Sequence, residues 1–146
     1  EDINLQYGKG QILKEGSKDG NNAGGNVAII AVGSMVEETY KAIDMLEKEN
    51  VHPAFVNPVF IKPMDTELIK RVAENHKHLI VVEEGIKKGG FGESVETFIL
   101  ESGIDADVQV MAIDDRFVEQ GNVALLREEI GISYKNIYEK VMELTR

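Results

Sequence analysis

The apolar positions of this chain follow two alternating patterns. Val27-Ala28-Ile29-Ile30-Ala31-Val32 and Leu79-Ile80-Val81-Val82 are unbroken apolar runs, with the length and β-branched content of strands buried on both faces. Ala54-Phe55-Val56-Asn57 and Val108-Gln109-Val110-Met111-Ala112-Ile113 read as further strands, with Pro58 limiting how far the first can pair centrally. Gly10 to Glu15 has mixed polarity and suits an edge strand. Between these runs the apolar residues recur at helical spacing. Val36, Tyr40, Ile43 and Leu46 form one stripe, and Leu68, Ile69, Val72 and Ala73 a second. Further stripes follow at Val95, Phe98 and Ile99, at Leu125, Leu126 and Ile130, and at Ile137, Val141 and Leu144.

Punctuation agrees with the pattern. Ser34 with Glu37 three residues on reads as a capping box, Asp65 as an N-cap and Ser133 as the cap of the last helix. Asn50, Gly103 and Gly131 read as helix stops. Strands alternating with helices predict an α/β fold, a three-layer sandwich. Its sheet is mainly parallel, with about five strands, one antiparallel edge strand and helices on both faces. Residues 1–146 form a single domain without internal repeats, in which 1–9 read as a linker remnant and 16–26 as a flexible polar loop.

Composition narrows the function. A formal net charge of -10 argues against nucleic acid or an anionic membrane as partner, since both call for clustered Lys and Arg. No apolar run reaches the roughly 18 residues needed to cross a bilayer, and no signal-peptide pattern opens the chain. Zero cysteines exclude disulfides, thiolate metal sites and Cys nucleophiles, and fit a cytoplasmic setting. Glu1 in place of Met is read as the start of a domain cut from a longer polypeptide.

Candidate chemistry gathers where the Leu79 strand runs out, because ligands of parallel sheets sit at the carboxyl ends of strands. There stand Glu83-Glu84-Gly85 and Gly89-Gly90-Phe91-Gly92. Glu83 and Glu84 are adjacent on a strand and point to opposite faces, so they form no acid/base pair and read as the strand's exit into water. The glycine loop has neither Walker nor dinucleotide spacing. Its glycines allow a ligand or another subunit to approach closely, and Phe91, set among them, is expected to serve as an interface anchor. The Gly33-Ser34 junction is able to hold an anion, although most such junctions are simply capped helices. Asp115 and Arg116 read as an intradomain ion pair, and His76 and His78 as solvated loop residues. His52 beside Pro53 is a turn residue. Ser34, Ser94, Ser102 and Ser133 lack a matched His base. The residues give a ligand edge without an identifiable catalytic set.

Several blocks occur in an order that resembles the C-terminal domain of transketolase-like enzymes. They are Val27 to Gly33 followed by Met35-Val36-Glu37-Glu38, Phe60-Ile61-Lys62-Pro63-Met64-Asp65, Val82-Glu83-Glu84-Gly85, Gly89-Gly90-Phe91-Gly92 and Asp115-Arg116-Phe117-Val118-Glu119-Gln120-Gly121. The second and third are shared with the β subunits of 2-oxo acid dehydrogenases. The last is similar to the 1-deoxy-D-xylulose-5-phosphate synthase family. The resemblance covers roughly Gly8 to Leu144. It implies a parent enzyme that uses thiamine diphosphate and Mg²⁺ and works as a homodimer of three-domain chains. That enzyme joins pyruvate to glyceraldehyde 3-phosphate with loss of CO2. It also implies that the catalytic, cofactor-binding and metal-binding residues belong to the upstream domains, so this chain carries none of them. The expected partners are those upstream domains and a second identical subunit. Glu84, Gly89, Gly90, Phe91, Asp115, Arg116 and Phe117 are the candidate residues for an interface or for bordering the active site. The alternatives are the matching domain of a 2-oxo acid dehydrogenase β subunit, against which Asp115 to Gly121 argues, and an independent small-molecule-binding module.

Overall fold

The computed structural model describes residues 7–18, 23–86, 88–113 and 132–145. Five strands, β1 (Gln11–Lys14), β2 (Val27–Ala31), β3 (Ala54–Asn57), β4 (His78–Ile86) and β5 (Asp107–Ile113), form one sheet in the order β1-β3-β2-β4-β5. β2 pairs with β3 and β4 in parallel, β4 with β5 in parallel, and β1 runs antiparallel to β3 at the edge. The expected α/β sheet with a single antiparallel edge strand is therefore present among the described residues. Helices α1 (Met35–Lys48), α2 (Thr66–Asn75), α3 (Phe91–Ser102) and α4 (Tyr134–Thr145) cover it.

The alternation of side chains along β2 and β4 sorts the core into two layers. Val27, Ile29, Ala31, Ile80 and Val82 face α1 and α4, whereas Ala28, Ile30, Leu79 and Val81 face α2 and α3. All nine side chains are 0% exposed. A fully buried Ile or Leu contributes about 1.5–3 kcal/mol, so the fold rests on these two central strands. The helix following β2 lies on one face and the helix following the neighbouring β4 on the other. The sheet thus has its switch point between the carboxyl ends of β2 and β4.

Asp65 caps α2 as its position predicts. Its Oδ1 accepts the Leu68 N–H at 3.1 Å, and its Oδ2 accepts the Gly10 N–H at 2.9 Å, which ties the entry of β1 to α2. Leu68, Ile69, Val72 and Ala73 are buried as expected. Gly103 closes α3 in the left-handed region at φ 68°, where a residue without Cβ is favoured. The face of α1 is turned from the expected stripe. Met35, Thr39, Ala42, Ile43 and Leu46 are buried, while Tyr40 is 39% exposed and packs edge-on against Phe55. Thr39 is accommodated because its Oγ1 donates to the Met35 carbonyl at 2.7 Å. The described flanks of the 16–26 stretch are tied down: the Ser17 N–H donates to the His52 carbonyl, and the His52 N–H to that of Ala23. The expected helix around Leu125 to Ile130 lies outside the described residues.

Candidate functional site

The switch point brings together Gly33 and Ser34, which follow β2, and Glu83 and Glu84, which end the buried part of β4. Their backbones are joined where the Val32 N–H donates to the Val82 carbonyl at 3.0 Å. The two glutamates point to opposite faces, as strand geometry requires, and each meets the start of a different helix. Glu83 does not mark an exit into water. It is 5% exposed, its Oε1 accepts the Phe91 N–H at 3.1 Å, and its Oε2 accepts the Gly92 N–H at 2.5 Å. A carboxylate in that position satisfies two otherwise orphaned donors and complements the positive end of α3. Glu84 is half-buried on the other face, where its Oε1 accepts the Ser34 hydroxyl at 3.0 Å. Ser34 therefore does not close the expected capping box with Glu37, and its side chain caps no backbone N–H. The first turn of α1 instead carries Glu37 and Glu38. The Glu38 Oε1 accepts the Tyr134 N–H at 3.1 Å, at the start of α4.

The glycine loop is closed by its own acid, since the Gly89 N–H donates to Glu93 Oε1 at 2.7 Å. Gly89 is exposed at φ 74° and Gly90 is half-buried. Phe91 is not the exposed anchor its glycine neighbours suggest. It is the first residue of α3, 2% exposed, and packs with Val95 and Ile99 in the domain's own core. The signal for this was available in the spacing, because Phe91 stands four and eight residues before Val95 and Ile99. Gly92 is the glycine that packing demands. A Cβ there would stand 2.5 Å from Val110 Cγ1 and 2.9 Å from Glu83 Oε2. Asp115, Arg116 and Phe117 lie outside the described residues.

The histidines stand elsewhere. His76 Nδ1 pairs with the Val72 carbonyl at the end of α2, and His52 with Asn50. His78 Nδ1 lies 3.2 Å from Asp107 Oδ2 at the amino end of the sheet. Gln109 donates to that same oxygen, and this bond, joined by His78 and opposed by burial, holds the Asp107 carboxyl below its usual range. Among the described residues no group of His, Asp and Glu is placed to hold a metal ion. The amides that open α3 are occupied by Glu83, and Ser34 is turned to Glu84, so the described edge presents carboxylates where a diphosphate would need donors. These residues do not fit thiamine diphosphate or its Mg²⁺.

The protein is a doubly wound α/β domain in which Glu83 takes the amides that open α3 and Glu84 the Ser34 hydroxyl. The family model of the transketolase C-terminal domain matches residues 12–137, and the chain belongs to that family. It is 38% identical over 143 residues to a 1-deoxy-D-xylulose-5-phosphate synthase of Dehalococcoides mccartyi, a match covering 97% of this chain and 21% of the relative. It is 35% identical over 140 residues to the synthase of Heliobacterium modesticaldum, covering 96% and 20%. The chain thus spans about a fifth of the curated relatives it matches. Among solved structures, a split-gene transketolase described as an inactive β4 tetramer superposes with a TM-score of 0.82 at 28% identity, over 99% of this chain and 45% of that one. The transketolase of Campylobacter jejuni shares the fold, with a TM-score of 0.62 at 22% identity over 93% of this chain and 18% of that one.

Proposed function

We propose that this chain is the C-terminal domain of a 1-deoxy-D-xylulose-5-phosphate synthase. The whole enzyme is a cytoplasmic homodimer that uses thiamine diphosphate and Mg²⁺. It condenses pyruvate with glyceraldehyde 3-phosphate, releases CO2, and so supplies precursors for isoprenoids, thiamine and pyridoxal. This domain holds neither cofactor nor substrate; it buttresses the upstream domains and the second subunit. The observation that carries the reading is the 38% identity to such a synthase across 97% of the chain. The carboxylate-filled switch point supports placing the chemistry elsewhere. So does the structural relative named as an inactive β4 assembly, a chain of which this domain matches 45%.

Two incubations test it. The chain alone, given thiamine diphosphate, Mg²⁺, pyruvate and glyceraldehyde 3-phosphate, is expected to release no CO2. A full-length protein containing this sequence is expected to form the five-carbon product. CO2 release by the chain alone would overturn the buttress role, and a full-length protein inert on this substrate pair would overturn the synthase.

A further inference from the structure

Among the described residues the large apolar side chains left exposed are Tyr7, Ile12, Tyr40, Ile61 and Leu100, and two of them, Tyr7 and Ile61, adjoin Phe60, one by ring contact and the other along the chain. Tyr7 is 79% exposed and Ile61 46% exposed. The half-buried Phe60, which precedes Ile61 in the chain, meets the ring of Tyr7 edge-on with centroids 5.6 Å apart. From Tyr7 the backbone crosses the connection between β3 and α2. A Cβ on Gly8 would stand 3.2 Å from Pro63 Cγ, and Gly10 is held by Asp65. Leu100, 81% exposed on α3, is by contrast flanked by exposed Glu101 and Ser102 and needs no special account.

The backbone beneath the patch is strained. Val59 has φ 63°, a left-handed conformation that a β-branched residue avoids. It is kept there by Asn57, whose Oδ1 accepts the Val59 N–H at 2.9 Å, and by the Phe60 N–H, which donates to the Pro58 carbonyl at 2.6 Å. The contacts that over-determine Val59 fix the next two residues, Phe60 and Ile61, at the domain's surface. Strain of this kind persists where a particular presentation is needed.

We infer that Tyr7, Phe60 and Ile61 form the seat on which the preceding domain of the same longer chain docks. The inference rests on the proposed function in taking the chain as one part of such a protein. The match to 21% of its relatives, within a family defined as a C-terminal domain, leaves most of the chain on the amino-terminal side. Whatever folded segment precedes Tyr7 is tethered beside the patch, at an effective concentration of order mM that a second copy in solution does not reach. The composition suits an interface within one chain: two aromatic rings and an Ile, rimmed by Lys62 and the exposed Lys9–Glu67 pair at 3.6 Å.

Hydrogen exchange on the full-length protein and on this chain tests the seat. The amides of Val59, Phe60 and Ile61 are expected to exchange at least about tenfold more slowly in the full-length protein. The pair Tyr7→Ser and Ile61→Asp in that protein is expected to abolish the difference while the β4 amides stay protected. In this chain alone the pair leaves the melting temperature nearly unchanged, because both side chains are exposed. Equal exchange in the two proteins overturns the seat, as does protection that survives the double substitution or that this chain gains at high concentration. Full-length protein that turns over its substrates without the protection defeats the seat alone. Protection in a protein without synthase activity upholds the seat and defeats the proposed reaction.

Discussion

Glu83 Oε2 accepts the Gly92 amide at 2.5 Å, across a space that a Cβ on Gly92 would close. The strand and the helix that follows it are thus joined by a carboxylate that fits only because residue 92 has no side chain. Gly92→Ala would push a methyl to 2.5 Å from Val110 Cγ1, so either α3 or β5 must shift. We expect a loss of about 1–3 kcal/mol in urea unfolding, as for overpacking elsewhere. Val110→Ala in the same chain should recover part of it by removing the clashing methyls. An unchanged midpoint would show that α3 does not approach β5 so closely.

Ser34 offers a test between two local designs. In a capping box, Ser34 and Glu37 would couple; in the structure the hydroxyl serves Glu84, which lies fifty positions along the chain. A double-mutant cycle of Ser34→Ala with Glu84→Ala should therefore show a coupling of about 0.5 kcal/mol or more, and the cycle with Glu37→Ala should be additive. The reverse result would restore the local cap.

The contrast between these sites shows what the sequence reveals. The α2 face and its Asp65 cap were legible because every determinant lies within eight residues of chain. The strands were legible as apolar runs, and the opposite facing of Glu83 and Glu84 followed from the two-residue period. What each glutamate meets was not legible, since it depends on which helix start the topology delivers to that face. Ser34 was misread for the same reason: the nearby partner is visible in sequence and the distant one is not. Phe91 was misread because its glycine neighbours drew more weight than its spacing to Val95.

Asp65 closes two contacts with one carboxylate, on Leu68 and on Gly10. Asp65→Ala should cost about 1–2 kcal/mol from the lost cap. It should also release the Gly10 amide to faster exchange while β2 and β4 stay protected. Asp65→Asn keeps one acceptor oxygen and should restore much of the cap while freeing one of the two amides. If Gly10 exchange were indifferent to both substitutions, β1 would be anchored by its pairing with β3 alone.

At the amino end of the sheet Asp107 adds to the acid dependence of stability. The Gln109 amide, 2.9 Å from Asp107 Oδ2, favours the charged carboxylate, as do His78 at 3.2 Å and, through charge alone, Lys140. The folded chain therefore binds this proton more weakly than the unfolded chain. That contribution is complete above the ordinary aspartate pKa of 3.8 and is lost as the pH falls through the lower folded value. It is small, because the Asp107 side chain is 45% exposed and water screens it. Asp107→Asn should flatten part of the fall in stability below about pH 4. Gln109→Ala should move the Asp107 titration, followed by the NMR shift of its carboxyl carbon, back towards the ordinary value. His78→Ala should move it in the same direction, since it removes both a hydrogen bond and a nearby charge. A titration unmoved by Gln109→Ala would mean that the β5 side chains do not hold this carboxylate.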